Sequence, residues 1–248
     1  MPSLLAVLAH PDDESMGTGG LIIRHTRNDV TVHLVCATHG ELGWGGKPPG
    51  ARREDLADIR AAELEAAASA LALAGVELWD YPDGGVDKSD QAEIAQRVGE
   101  EIARVRPSAV VTWGPDGGYG HPDHIAIGAC TDAAVAVMPE SDRPALYHIA
   151  IDQPLADFYR QAPRLTSAEA DSPNVMVADH VDIALDLSPD ELQMKLRAVY
   201  CHESQVADWM LVLREHPNVL MGWGHEPYIV VPARPATLTG TGLLAEFA

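Results

Sequence analysis

The sequence predicts an α/β protein with a mostly parallel sheet flanked by helices, and three observations carry the prediction. Short apolar runs alternate with longer helix-like segments through the first 137 residues. The runs at 4–9 and 109–113 are apolar almost throughout, as strands covered on both faces are. No internal repeat and no Gly/Ser-rich linker divides the 248 residues, whose 46% hydrophobic content suits one domain with a sizeable core.

Taken in order, residues 4–9 read as a buried strand ending at Pro11, and 20–27 as a short helix. Residues 30–38 form a second strand, 53–73 a long helix rich in Ala and Glu, and 76–81 a third strand. A helix at 91–105 leads to a fourth strand at 109–113. The helix at 122–137 opens on Pro122, whose missing N–H suits a first turn. Residues 138–188 are less regular, broken by Pro139, Pro144, Pro154, Pro163 and Pro173, with strands expected at 145–151 and 181–187 and a short helical piece at 155–160. Ser188 caps a helix at 190–201 with Pro189 at its first position. A helix at 205–214, a strand at 227–231 and a loose Thr/Gly-rich tail complete the chain. The expected organisation is one domain over 1–248, a Rossmann-like core at 1–137 with an irregular α+β part at 138–248 packing over the site.

Charge and composition narrow the function. With 17 Lys and Arg against 37 Asp and Glu, the net charge is −20, which repels phosphate backbones and anionic membranes, so neither nucleic acid nor a membrane is an expected partner. No apolar run reaches the roughly 20 residues that span a bilayer, and no basic residue precedes the run at 4–9 as a signal peptide requires. Cys36, Cys130 and Cys201 are scattered, as reduced thiols are. The reading is a cytoplasmic protein; assembly into a homo-oligomer stays open.

Two stretches carry chemistry. V-L-A-H-P-D-D-E places His10, Asp12, Asp13 and Glu14 on one tight turn after the first strand. Carboxylates crowded there repel one another unless a cation neutralises them, and a divalent metal accounts for them most simply; the alternative is a solvated acidic turn. Parallel sheets put their sites beyond the C-terminal ends of the strands. After the fourth strand and a Gly-rich loop, Y-G-H-P-D-H brings Tyr119, His121, Asp123 and His124 to a helix start on the same rim. The residue types alone do not choose among the adjacent acids. Gly17-Thr18-Gly19-Gly20 follows the acidic turn and not a strand, so a phosphate cradle is rejected. His25, His33, His39, His148, His180, His216 and His225 lack partner spacing and default to structural roles.

A-H-P-D-D-E at 9–14 together with His121-Pro122-Asp123-His124 resembles the signature of the zinc-dependent LmbE-like / PIG-L deacetylases. Weaker similarity runs through Thr38-His39-Gly40-Glu41, Arg60-Ala61-Ala62-Glu63, Asp83-Gly84 and Lys195 to Gln205. The resemblance implies a hydrolase that removes the N-acetyl group from an N-acetylglucosamine-containing small molecule, using Zn2+, with Fe2+ as the alternative. It implies His10, Asp13 and His124 as metal ligands and Asp12 as general base. Two His and one carboxylate leave a coordination position open, as in catalytic zinc sites. His121 becomes an electrophilic or acid partner whose tautomer Asp123 sets, and Tyr119 either stabilises the oxyanion or packs in its loop. Arg60 and Asp83 match positions that hold sugar hydroxyls; an i, i+3 pair with Glu63 and a plain turn residue are the alternatives. Glu41 becomes a rim contact, His202 a substrate contact or a helix-surface histidine, and Glu14 a support behind the ligands. An amidase of thiol conjugates, a phosphoester hydrolase and a non-catalytic sugar-binding protein compete with this reading. The phosphoesterase needs more positive charge at the mouth than Arg52, Arg53 and Arg60 supply.

Overall fold

A computed structural model describes residues 2–43, 52–166, 175–206 and 222–232. Seven strands among them, β1 (Ser3–Leu8), β2 (Thr31–Thr38), β3 (Gly75–Tyr81), β4 (Ala109–Trp113), β5 (Ala145–Ile149), β6 (Ile183–Asp186) and β7 (His225–Val231), join one sheet. Its order is β3-β2-β1-β4-β5-β7-β6. β1 through β5 are mutually parallel where they pair, and β7 runs antiparallel to both β5 and β6. Every residue of β1 and β4 is buried, which is why both read as unbroken apolar runs. Register aligns Leu5 with His33 on one side and with Val110 on the other.

Helices cover this sheet. α1 (Asp13–Met16) and α2 (Gly19–Thr26) follow β1, and α3 (Leu56–Ala70) follows β2. α4 (Gln91–Val105), the short α5 (Gly117–Gly120), α6 (Pro122–Ala136), α7 (Gln153–Thr166) and α8 (Pro189–Val199) complete the set. α4 packs on α6, while α2 and α3 pack on α8. The strand order reverses direction between β1 and β4, so the loops leaving those strands diverge and open a crevice, the usual place for a ligand in a doubly wound sheet.

Between α6 and β4 the approach is very close. A Cβ on Gly128 would stand 2.2 Å from the Trp113 carbonyl oxygen, so only glycine lets the helix sit there. Near α2 the Glu226 carboxylate accepts the N–H groups of Gly20 (2.7 Å) and Leu21 (2.8 Å), together with the ammonium of Lys195 (2.6 Å). The turn at Gly17 to Gly20 therefore serves the chain's own carboxylate. Ser188 and Glu191 form a capping box at α8, and Arg24 of α2 donates to both Glu191 oxygens at 3.0 and 3.1 Å.

The part after residue 137 extends the sheet with β5, β7 and β6, at the three places where strands are expected. α7 is longer than the piece expected at 155–160 because Asp152 caps it, accepting the Leu155 N–H at 3.0 Å, and Pro154 lies in the first turn. β7 begins two residues earlier than expected, at His225, which pairs with Asp186. Most of the helix expected at 205–214, and the Thr/Gly-rich tail after residue 232, lie outside the described residues. No helix among the described residues is long and apolar enough to cross a membrane.

Candidate active site

The turn after β1 separates its acids. Asp12 has φ 118° and ψ −27°, an unusual conformation for a non-glycine residue, and α1 begins directly after it. Asp13 folds back under the strand end, where its Oδ2 accepts the N–H groups of Ala9 (3.1 Å) and His10 (3.0 Å) and the indole N–H of Trp113 (3.1 Å). Asp12 turns toward α3, and Arg60 donates to its Oδ2 at 3.0 Å. The same guanidinium donates to the Pro11 carbonyl and, at 2.7 Å, to the Gly40 carbonyl.

The loop after β4 supplies the facing wall. Gly117, Gly118 and Gly120 all have positive φ, which folds the loop tightly beside His124. His121 caps α6, its Nδ1 accepting the Asp123 N–H at 3.3 Å. His124 stacks on Trp113 with ring centroids 4.0 Å apart and planes 8° from parallel. Its Nδ1 lies 3.1 Å from the Gly117 carbonyl, so Nδ1 carries the proton and Nε2 keeps its lone pair. His10 Nε2 lies 3.2 Å from both Asp123 and Asp83, which keeps a proton on Nε2 and leaves Nδ1 as the nitrogen that can give its lone pair to an ion.

These lone pairs converge. His10 Nδ1 and His124 Nε2 are 3.1 Å apart, with Asp13 Oδ2 3.9 Å from the first and Asp13 Oδ1 3.5 Å from the second. Among the described residues, two donor sets have one ligand atom from each residue within 4.8 Å of the others, His10 with His121 and His124, and His10 with Asp83 and Asp123. Asp13 and Asp123 differ in what the carboxylate already holds, Asp13 keeping one oxygen free of backbone donors. Asp13 Oδ1 faces His124 while Oδ2 takes the three N–H groups, whereas both Asp123 oxygens accept backbone N–H groups, Oδ2 from Gly84 (2.7 Å) and Oδ1 from Val86 (3.0 Å).

The electrostatics suit a cation. Burial disfavours a charged His10 ring, yet hydrogen bonds to Asp123 and Asp83 and the charges of Asp13 and Asp12 raise its pKa to about 10, so without an ion both nitrogens carry protons at pH 7 and a bound cation must displace the one on Nδ1. His124 goes the other way, lowered by burial to about 4 against the pull of Asp13, and is a neutral imidazole at pH 7. Burial raises Asp12 to about 6 although Arg60 opposes it, so the carboxylate remains able to accept a proton near neutrality. Burial, then the positive charge of His10, lowers His121 below its ordinary value. An open cleft of about 310 Å³ lies above these groups, lined by Asp12, Asp83, Tyr119, His121, Leu42 and Gln205 among others.

The family model described as PIG-L, GlcNAc-PI de-N-acetylase, matches residues 5–135, a span that holds both His-Pro-Asp motifs and exceeds half the chain. The chain belongs to this family. Among its relatives is the 1D-myo-inositol 2-acetamido-2-deoxy-alpha-D-glucopyranoside deacetylase of Mycolicibacterium smegmatis, 33% identical over 93% of this chain and 90% of that protein. Another is a probable N-acetyl-alpha-D-glucosaminyl L-malate deacetylase 2 of Bacillus anthracis, 36% identical over 59% of this chain and 65% of that protein, just under two thirds of its length. Two solved structures share the fold at 22% identity and a TM-score of 0.64. They are the N,N'-diacetylchitobiose deacetylase of Pyrococcus horikoshii (95% of this chain, 87% of that chain) and the 4-carboxy-2-hydroxymuconate hydratase GalB of Pseudomonas putida KT2440 (93% and 96%). A fold that also serves a hydratase does not decide the reaction; the side chains must.

In this PIG-L chain, His10, Asp12, Asp13, His121 and His124 meet at one rim, with Tyr119 5.3 Å from the His124 ring. Tyr119 is 46% exposed, and its partial desolvation together with the charges of Asp13 and Asp12 raises its pKa and keeps the phenol protonated. Asp123 departs from expectation. Its carboxylate contacts His10 and two backbone N–H groups, and His121 receives its tautomer from the Asp123 backbone instead. Arg60 is 3% exposed and does not pair with Glu63, which accepts both the N–H and the hydroxyl of Ser204 at 2.7 Å. Asp83 lines the cleft, but its oxygens face His10 and the Leu42 N–H, and Glu41 accepts the Asp83 N–H. His202 corrects both of its expectations, being neither on a helix surface nor at the cleft; it is fully buried against Glu14 at 2.7 Å. Trp113 was missed by motif reading, although its place at the C-terminal end of β4 marked it as a rim residue.

Proposed function

We propose that this chain is a metal-dependent hydrolase that removes the N-acetyl group from an N-acetylglucosamine-containing small molecule. The observation that carries the reading is the convergence of His10 Nδ1, His124 Nε2 and the Asp13 carboxylate beside a second, separately held carboxylate, Asp12. His10, Asp13 and His124 would hold the ion, and two imidazoles with one carboxylate suit Zn2+, with Fe2+ the other candidate. A divalent cation bound there supplies polarisation of the acetyl carbonyl and brings the pKa of a water to about 7.

The remaining work falls to side chains. Asp12, fixed through Oδ2 by Arg60, takes a proton from the attacking water, whose oxygen bonds to the acetyl carbon. With Nδ1 accepting from the backbone, His121 presents an Nε2–H donor to the oxyanion, and the neutral Tyr119 hydroxyl is a second donor at the mouth. Transfer of the proton from Asp12 to the amide nitrogen breaks the C–N bond, leaving acetate and a free amine. The relatives' names support the sugar class, since each carries a 2-acetamido sugar or its glycoside. The −20 charge accords with a small neutral substrate and not with nucleic acid. Free thiols at Cys36, Cys130 and Cys201 accord with the cytoplasm. A single catalytic domain is part of the proposal, supported by Gln205 reaching the cleft from beyond residue 137.

Amine release from a panel of N-acetylated glucosaminides, assayed with Zn2+ or Fe2+ added and again after chelation, tests the reading. Metal-dependent release from at least one member is expected; no release from any of them by metal-loaded protein would overturn it.

A further inference from the structure

The reaction scheme does not account for the backbone of Asp12. Asp29, Ala72 and Arg106 are the other described non-glycine residues with positive φ, and theirs lie between 50° and 59°, the ordinary left-handed region. Asp12 at 118° lies well outside it, and such a conformation persists only where the surroundings hold it. One hold comes from Arg60, already described. The other runs through Glu14, whose Oε2 reaches back to accept the Asp12 N–H at 3.0 Å.

Glu14 is itself fully buried. Its Oε1 accepts the Ser15 hydroxyl at 2.5 Å and lies 2.7 Å from His202 Nε2. His202 stands 188 residues further along the chain, beyond the span that the family model matches. The turn carrying it is anchored separately, because Ser204 donates twice to Glu63 of α3. A buried carboxylate deprived of its charged or polar donor reorients toward water. Without His202, Glu14 would release the Asp12 N–H, and the general base would lose its aim.

We infer that His202 is a positioning residue for the reaction, acting through Glu14 on the peptide N–H of Asp12, so that the part of the chain after α8 sets the direction of the base. The inference rests on the reading of Asp12 as that base. It carries three expected results for His202→Ala. The first is a fall in kcat of about 10–100-fold with KM and metal content within about twofold of wild type. The second is hydrogen exchange at the Asp12 amide of the metal-free protein about tenfold faster or more. The third is that His202→Gln, which keeps an N–H donor for Glu14, regains most of both. If the alanine variant does not fold, His202→Asn, larger but too short to reach Glu14, carries the same readouts. Wild-type kcat and exchange in His202→Ala would overturn the inference, as would metal content falling in step with kcat, or a glutamine variant no better than alanine. If wild-type protein releases no amine from any substrate, the proposed function fails, and the exchange arm alone decides this inference.

Discussion

Asp12 and Asp13 carry identical side chains, and with a φ of 118° at Asp12 one points toward Arg60 and the other under Trp113. Replacing either with Asn preserves size, so the two variants separate proton transfer from ligation. Asp12→Asn is expected to bind metal as wild type does and to lose about 10²–10⁴-fold in kcat. Asp13→Asn should lose metal affinity first, read by elemental analysis after dialysis; a metal-poor Asp12→Asn beside a metal-replete Asp13→Asn would reverse the roles. These residues were legible in the sequence, because acids and imidazoles gathered at two strand ends repel and desolvate one another unless a cation binds them together. Which acid turned which way was not, since that depends on one backbone dihedral. Nor could the sequence pair Asp123 with His10 or His202 with Glu14, contacts that span 113 and 188 residues and leave no local pattern.

At the scale of elements, α6 holds His121 and His124 at its start, and its seat on β4 depends on Gly128. Gly128→Ala would force the helix off the Trp113 carbonyl. An overpacking cost of about 1–3 kcal/mol is expected, together with weaker metal binding as His124 moves, measured by urea unfolding and metal titration. α8 offers a test by pH. Arg24, the largest influence, holds the Glu191 carboxyl down at about 2 against the opposing effect of burial. A depressed carboxyl stabilises the fold above its unfolded value of 4.5, and that contribution disappears as pH falls toward 2. Glu191→Gln should therefore cost about 1 kcal/mol at pH 7, with the gap from wild type constant down to about pH 5 and narrowing below 4.5. Helices with such caps were legible, as Ser188 and Pro189 marked the start of α8 to within a residue. β5, β6 and β7 were legible as strands to within two residues at each end, but their pairing was not, because β6 finds its antiparallel partner about 40 residues downstream, where short-range periodicity says nothing.

Across the whole molecule, the parallel core was readable because alternation of strand and helix leaves few other arrangements, whereas the tie between its two ends was not. Lys195 of α8 and Glu226 of β7 form an ion pair whose side chains are 1% and 2% exposed. Lys195→Met leaves the carboxylate buried with its remaining N–H and Tyr228 donors, and a loss of about 3–5 kcal/mol in urea unfolding is expected. The double variant Lys195→Met with Glu226→Gln should cost less than the sum of the single changes by about 1 kcal/mol or more. Strict additivity would show that the pair is not coupled. Glu226 also fills the start of α2 from 206 residues away. At the usual 5–20 residues per second, a ribosome releases that helix roughly 10–40 s before the carboxylate that completes it. During that interval the N–H groups of Gly20 and Leu21 at the start of α2 lack the acceptor that the folded chain gives them.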